Sequence, residues 1–309
     1  DLTFALRSLD VRRLAATKKR PDRVVVDASL GVDQARLTVR GGLKGLGQEQ
    51  GPTLALEARL RDFAGLLAKV SGRQVRDEAS KLVATVSGPV NDPAADVTLS
   101  GLGLTHDRVV VRRVNLTARY ETGMLRVHRV AADLLNGQLI GRAQLAVGSG
   151  RWRATLTAKQ LALGAVLPPE QKEMAGTLTG WLDAAGALDD AARGWTRFDL
   201  TVDRGTKKGP LPPSVRMSGE LHASVARLDI RRLAVESNMV ALQTRGRFWP
   251  QRQEMDLALK LQAKRLRRFL LKLGKPPLLA ALNLAGRARG RVTNPAFNGN
   301  VQAYGVQSG

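Results

Sequence analysis

His106, His128 and His222 are the three imidazoles of this 309-residue sequence, and no cysteine accompanies them. A zinc site needs three or four converging donors. These histidines fall on separate stretches without paired carboxylates at ligand spacing, which favours solvated strand residues over a metal site. Asp189-Asp190 has the composition of an acid/base pair. Its counterparts in two similar stretches, however, are Asn91-Asp92 and Thr293-Asn294, which marks it as a turn. Gly41-Gly42-Leu43-Lys44-Gly45 is glycine-rich but lacks the Gly-x-x-x-x-Gly-Lys-Ser/Thr spacing that cradles phosphates, so it reads as a strand connection. No Gly-x-Ser-x-Gly nucleophile turn is present. The expectation is a protein without catalytic residues, metal or cofactor.

Stepping outward from these residues, the sequence is dominated by short alternating stretches. Trp152, Ala154, Leu156 and Ala158 alternate with Arg151, Arg153, Thr155 and Thr157; Phe198, Leu200 and Val202 alternate with Asp199, Thr201 and Asp203; Met255, Leu257, Leu259 and Leu261 alternate with Asp256, Ala258, Lys260 and Gln262. Val114, Leu116 and Ala118 behave likewise. A period of two with one polar face predicts antiparallel strands, wet on one side and dry on the other.

These strands recur. Gly88-Pro89-Val90-Asn91-Asp92-Pro93-Ala94 returns as Gly186-Ala187-Leu188-Asp189-Asp190-Ala191-Ala192 and as Gly290-Arg291-Val292-Thr293-Asn294-Pro295-Ala296. Each is a turn signature, and the copies lie about one hundred residues apart, the mark of a repeat architecture. Two more landmarks keep the same order. One is Arg23-Val24-Val25-Val26-Asp27, Arg129-Val130-Ala131-Ala132-Asp133 and Arg232-Leu233-Ala234-Val235-Glu236; the other is Ala158-Lys159-Gln160-Leu161 and Ala263-Lys264-Arg265-Leu266. The predicted organisation is one continuous array over 1–309, with partial repeats at 1–50 and 254–309 flanking repeats at 51–150 and 151–253.

Net charge is +22, with 49 Lys+Arg against 27 Asp+Glu, and aromatics are only 4%. The positive charge is spread over nearly every strand, as on the solvated face of a sheet. It attracts polyanions. No aromatic positions interleave with the cations for base stacking and no recognition helix is evident, so a nucleic-acid partner is not expected. No apolar run reaches the length of a membrane-spanning helix, and the aromatic girdles of a transmembrane barrel are missing. The sequence opens and closes in mid-pattern, and it reads as a piece of a longer protein.

Short helices are predicted at 61–70, 161–167 and 266–273, and a flexible loop at 207–213. The segment 260–275 surrounds Leu266, Phe269, Leu270 and Leu273 with Lys264, Arg265, Arg267, Arg268, Lys272 and Lys275. It reads either as a basic amphipathic helix touching anionic head groups through Arg265, Arg267, Arg268 and Lys272, or as a helix docked on the sheet with its cations merely solvated. Trp152, Trp181, Trp195 and Trp249 read as acyl-chain contacts or as strand-end plugs. With no long helix to cover it, the dry face is expected to line an open groove. Some twenty-five strands at about 4.8 Å give a trough on the order of 100 Å long. Its expected lining is Leu116, Leu145, Trp152, Leu156, Phe198, Leu200, Val202, Met255, Leu257, Leu259 and Leu261.

The Gly-x-Val-x-Asp-Pro-Ala turn, the Leu139-Ile140-Gly141-Arg142 strand end and the Leu-x-Leu-x-x-Val-Leu-Pro segment at 161–168 resemble the periplasmic repeats of the TamB and AsmA-like proteins. These belong to the wider class of bridge-like lipid transfer proteins. The resemblance implies an all-β fold, a long curled antiparallel sheet forming an open groove. It implies a non-enzymatic conduit that moves phospholipids or other acyl-chain lipids between the inner and outer membranes of a Gram-negative cell. The location it implies is the periplasm, with an inner-membrane anchor outside this stretch and an outer-membrane barrel as partner. The competing expectation is an assembly scaffold that templates outer-membrane barrels by strand-edge pairing. The strongly basic balance is not part of the family pattern.

Overall fold

A computed structural model describes residues 4–14, 23–32, 35–44, 52–61, 75–106, 109–165, 167, 176–189, 193–204, 212–264 and 281–305. The chain forms two compact units, residues 1–149 and 150–309. The first contains β1 (Phe4–Leu14), β2 (Arg23–Val32), β3 (Ala35–Lys44), β4 (Thr53–Arg61) and β5 (Val75–Pro89). It continues with β6 (Ala94–His106), β7 (Val109–Glu121), β8 (Met124–Leu134) and β9 (Gly137–Ala146). The second contains β10 (Arg151–Ala162), β11 (Thr177–Ala187), β12 (Gly194–Asp203), β13 (Ser214–Ala223) and β14 (Leu228–Ser237). It ends with β15 (Val240–Trp249), β16 (Glu254–Ala263), β17 (Ala281–Arg291) and β18 (Asn294–Tyr304). Within each unit every strand pairs antiparallel with its sequence neighbours. Each unit is therefore a curled, open meander, the expected all-β architecture, and not a closed barrel.

Eighteen described strands replace the twenty-five expected. The strands are longer than a ten-residue strand-plus-turn unit allows, reaching 15 residues in β5. The helix expected at 161–167 is also corrected. Leu161 and Ala162 continue β10, pairing with Leu178 and Thr177, and only Leu163–Ala165 winds into a 3-10 turn. Leu161 is buried in that pairing, which a helix would forfeit. The other two expected helices fall, beyond Arg61 of β4, outside the described residues, as does the loop 207–213 up to residue 211. Gly41-Gly42-Leu43-Lys44 is a third correction: it lies within β3, while Gly45 falls outside the described residues. A Cβ on Gly41 would sit 2.0 Å from the Ala55 carbonyl oxygen and one on Gly42 1.8 Å from that of Val24. Both neighbouring strands press on this point, so glycine is required there.

The turn signature has a common geometry in its first and third copies. Gly88 and Gly290 adopt φ of 108° and 107°, open to glycine but strained for other residues. In all three copies the aliphatic residue two positions on donates its N–H to a carbonyl of the preceding hairpin. Val90 reaches Pro52 at 3.2 Å, Leu188 reaches Gly150 at 2.9 Å and Val292 reaches Gln253 at 2.8 Å. These bonds lace successive hairpin ends together along one rim of each sheet.

Two copies of the second landmark and one of the third sit at β-bulges, whereas Arg23–Asp27 pairs in continuous register on both sides. Register jumps past His128-Arg129 in β8, past Arg231-Arg232 in β14 and past Lys159-Gln160 in β10, each time leaving two residues opposite one. β7 does the same at Arg113-Val114. Cations suit the inserted positions because the extra side chain has to find solvent.

Packing cannot hold these sheets as it holds a globule. Ten hydrophobic residues are fully buried among those described, and eight are alanines; Leu102 and Leu161 are the others. The first unit has a small cluster in which Ala35 and Leu102 meet Leu60, Leu82, Leu99 and Val114. Elsewhere the strand ladder carries the load, supplemented by cross-strand ion pairs on the polar face. Arg153 forks onto Asp183 at 2.6 and 3.2 Å, Arg197 reaches Glu220 at 3.1 Å, Arg216 clasps Asp199, and Arg287 clasps Asp256. In the first unit Arg119 and Arg126 hold Glu121 at 2.7 and 2.9 Å.

These partners hold carboxylates below their ordinary range: Asp183 through the hydrogen bond from Arg153, Asp199 through that from Arg216, and Asp256 through that from Arg287. A depressed carboxylate stabilises the fold fully above its unfolded pKa and loses that contribution as pH falls through its folded value. The urea midpoint is therefore expected to be flat from about pH 7 to about pH 5 and to drop below about pH 4. An Asp183→Asn/Asp199→Asn variant is expected to lose part of that drop, having a lower midpoint at neutral pH and a shallower acid limb; an unchanged acid limb contradicts this account.

Candidate functional site

Residues directly opposite in an antiparallel pair share a face, so the registers trace each face strand by strand. In the first unit one row runs Leu30, Leu37, Leu60, Leu82, Leu99, Leu116, Val130 and Gly141 across β2 to β9. A parallel row on the same face runs Leu56, Val86, Ala95, Tyr120, Leu125 and Leu145. At about 4.8 Å per strand, the seven steps of the first row span about 34 Å and the five steps of the second about 24 Å.

The second unit repeats the arrangement. One row is Leu156, Leu182, Phe198, Gly219, Leu233, Thr244, Leu259, Gly286 and Gly299. Another is Ala158, Gly180, Leu200, Met217, Val235, Leu242, Leu261, Leu284 and Val301. Leu257 lies beside them between Gly246 and Ala288, Met255 between Phe248 and Gly290, and Val202 between Leu178 and Val215. Trp152 packs over Gly186, its ring 3.2 Å from where a Cβ would stand.

Every residue of the expected lining thus falls on the apolar face of its own unit, Leu116 and Leu145 in the first and the other nine in the second. All eleven are half-buried and none is enclosed. The leucines of β2 to β6, such as Leu37, Leu60, Leu82 and Leu99, lie on the same face and are not part of the expected lining. Their alternation was available, but only the pairing registers join them to Leu116. The candidate head-group residues Arg265, Arg267, Arg268 and Lys272 lie outside the described residues.

Three tryptophans occupy other positions. Trp195 stands on the polar face, with the guanidinium carbons of Arg153 and Arg197 at 5.4 and 5.2 Å from its ring centre. Stacking of this kind favours the cation over the ring face. Trp181 is also on the polar face, opposite Asp199, and is 42% exposed. Trp249 closes the end of β15 opposite Glu254. Of the four tryptophans, only Trp152 lies on the apolar face.

The histidines do not converge. His222 Nε2 lies 2.9 Å from Glu220 Oε1, His128 occupies the β8 bulge, and His106 is in β6. Among the described residues no group of three or more His, Cys, Asp or Glu side chains could hold a metal ion. Asp189 follows Leu188 in the β11–β12 connection, and Asp190 is outside the described residues. Among the described residues no helix is long and apolar enough to cross a membrane.

What the arrangement offers chemically is an apolar strip of about 35–40 Å in each unit, backed by a charged surface of opposite character. Comparison with protein-family models, with curated proteins and with solved structures gives no match to this chain.

Proposed function

We propose that the apolar face is a conduit for acyl chains and that the protein moves phospholipids or similar lipids along its sheet. The observation that carries this reading is the half-burial of the leucine rows: side chains such as Leu156, Leu200 and Leu257 have apolar neighbours within the sheet, yet none is enclosed. Each methylene transferred from water to such a surface gains about 0.8 kcal/mol, so a sixteen-carbon chain laid along it gains roughly 10 kcal/mol before ordering costs. Because the row composition changes little from strand to strand, that gain varies little with position. A guest can then slide without crossing a high barrier. The periplasmic location, the inner-membrane anchor and traffic between two membranes follow from the family resemblance and belong to the same proposal.

Two measurements test it. Mass spectrometry of the purified chain is expected to find co-purifying phospholipid; a lipid-free preparation that extracts none from vesicles sinks the reading. Leu200→Asp/Leu257→Asp is expected to lower bound lipid at least tenfold, since each charge placed in the strip costs several kcal/mol to bury beside an acyl chain. Thr201→Asp, on the opposite face of β12, serves as the folded control and should retain lipid.

One observation favours the scaffold reading. Within the second unit β18 pairs with β17 alone, all eleven of its residues are exposed, and Asn294–Tyr304 contains no charged residue. Edge strands usually carry charges that deter pairing. Binding of a lipid-stripped chain to an unfolded outer-membrane hairpin, abolished by Asn298→Pro, is the outcome that would shift the balance to strand templating.

A further inference from the structure

Ion pairs recur from strand to strand on the polar face of the second unit, but none forms at the β14 bulge among the described residues. At the β14 bulge Ile230 faces Gly246 and Leu233 faces Thr244, so Arg231 and Arg232 share the space opposite the single residue Arg245. On the far side of β15, Lys260 pairs with Gln243. Arg231, Arg232, Arg245, Lys260 and Gln243 line a depression of about 460 Å³ together with Leu233, Thr244, Ala258 and Leu259. None of these four cations makes an ion pair or hydrogen bond with another described residue. The nearest acids are committed elsewhere: Glu220 to Arg197 and His222, Asp229 to Arg227 and Arg247, and Asp256 to Arg287 and Arg289.

We propose that this depression is an oxyanion site that takes a phosphate group, either free in a small phosphate compound or exposed as a lipid head group. Four like charges held together by a bulge repel one another, and an anion entering between them removes that cost. Guanidinium groups match phosphate oxygens two at a time, and the Gln243 amide adds a neutral donor. The space equals that of about fifteen waters, enough for a phosphate monoester with part of its hydration shell.

Two other depressions show why the site is confined. One of about 580 Å³ shares Arg231 and Arg245 but includes Asp229 and Asp256, whose carboxylates repel an anion. Another of about 250 Å³ in the first unit gathers Arg36, Arg40, Arg59 and Arg61 around Glu57, which Arg59 already holds. Only the β14 depression among these three lacks a carboxylate. The inference concerns the face opposite the apolar strip and does not depend on lipid transport.

The test uses the full chain with two probes: pyrophosphate followed by calorimetry, and flotation with phosphatidylcholine vesicles doped with phosphatidic acid. Arg245→Gln/Lys260→Gln removes two cations of the cluster. Arg151→Gln/Lys159→Gln removes two exposed cations of β10 and matches the change in net charge. All four positions are exposed, and an unchanged urea midpoint verifies the fold. The cluster variant is expected to lose binding about tenfold or more, and the matched variant less than about twofold. Loss confined to pyrophosphate assigns a free phosphate compound, and loss confined to vesicles assigns a head group; either supports the site. Equal loss in both variants, or no binding in either arm, overturns it.

Discussion

Antiparallel main-chain pairing is the interaction on which everything else here depends. A globular domain of this size closes its apolar surface against a second layer, and burial then carries most of the stability. Here the fully buried apolar residues are nearly all alanine, and the leucine rows keep one side open. The ladder must therefore satisfy the backbone and fix the register with little help from enclosed side chains. Period-two alternation makes that register strict, since a slip of one residue would turn Leu156, Leu182 and Phe198 onto the charged face.

The charged face has its own logic. Individually exposed ion pairs contribute only about 0–1 kcal/mol, but they repeat: Arg153 with Asp183, Arg216 with Asp199, Arg287 with Asp256. They bridge adjacent strands and disfavour misregistered pairing, where like charges would meet. Trp195 joins this scheme from between two guanidinium groups. The excess of arginine over acid leaves cations to spare, and each bulge of β7, β8, β10 and β14 holds at least one of them, that of β14 an adjacent pair. A bulge thus does two things at once: it bends and twists the strand, and it concentrates charge.

The two faces are coupled through these same irregularities. Beyond the bulge in β10, Leu161 regains the apolar face opposite Leu178, and beyond that in β14, Leu233 regains it opposite Thr244. An extra residue in the strand would invert every side chain after it, unless both inserted positions point outward. The Lys-Gln and Arg-Arg steps at those points preserve the apolar rows while adding nothing polar to them.

The sequence by itself determined the strand class, the polarity of each face and the turn signature, because all three are local: alternation is read over a few residues and the turn over seven. The eleven expected lining residues from Leu116 to Leu261 fall on the apolar faces for that reason. Strand length was not legible, since β10 runs past Lys159-Gln160 into residues whose local pattern resembles a helix, and only pairing with Leu178 and Thr177 extends it. Nor was the meaning of Arg129, Arg232 and Lys159-Gln160, landmark residues that become bulges only where a partner strand supplies one residue against two. The tertiary structure alone decided which strands share a row, that Trp181 and Trp195 face the charges, and that Arg231, Arg232, Arg245 and Lys260 meet. The physical reason is that neighbours across a sheet are fixed by hydrogen-bond register between strands, a quantity that no single stretch of chain contains.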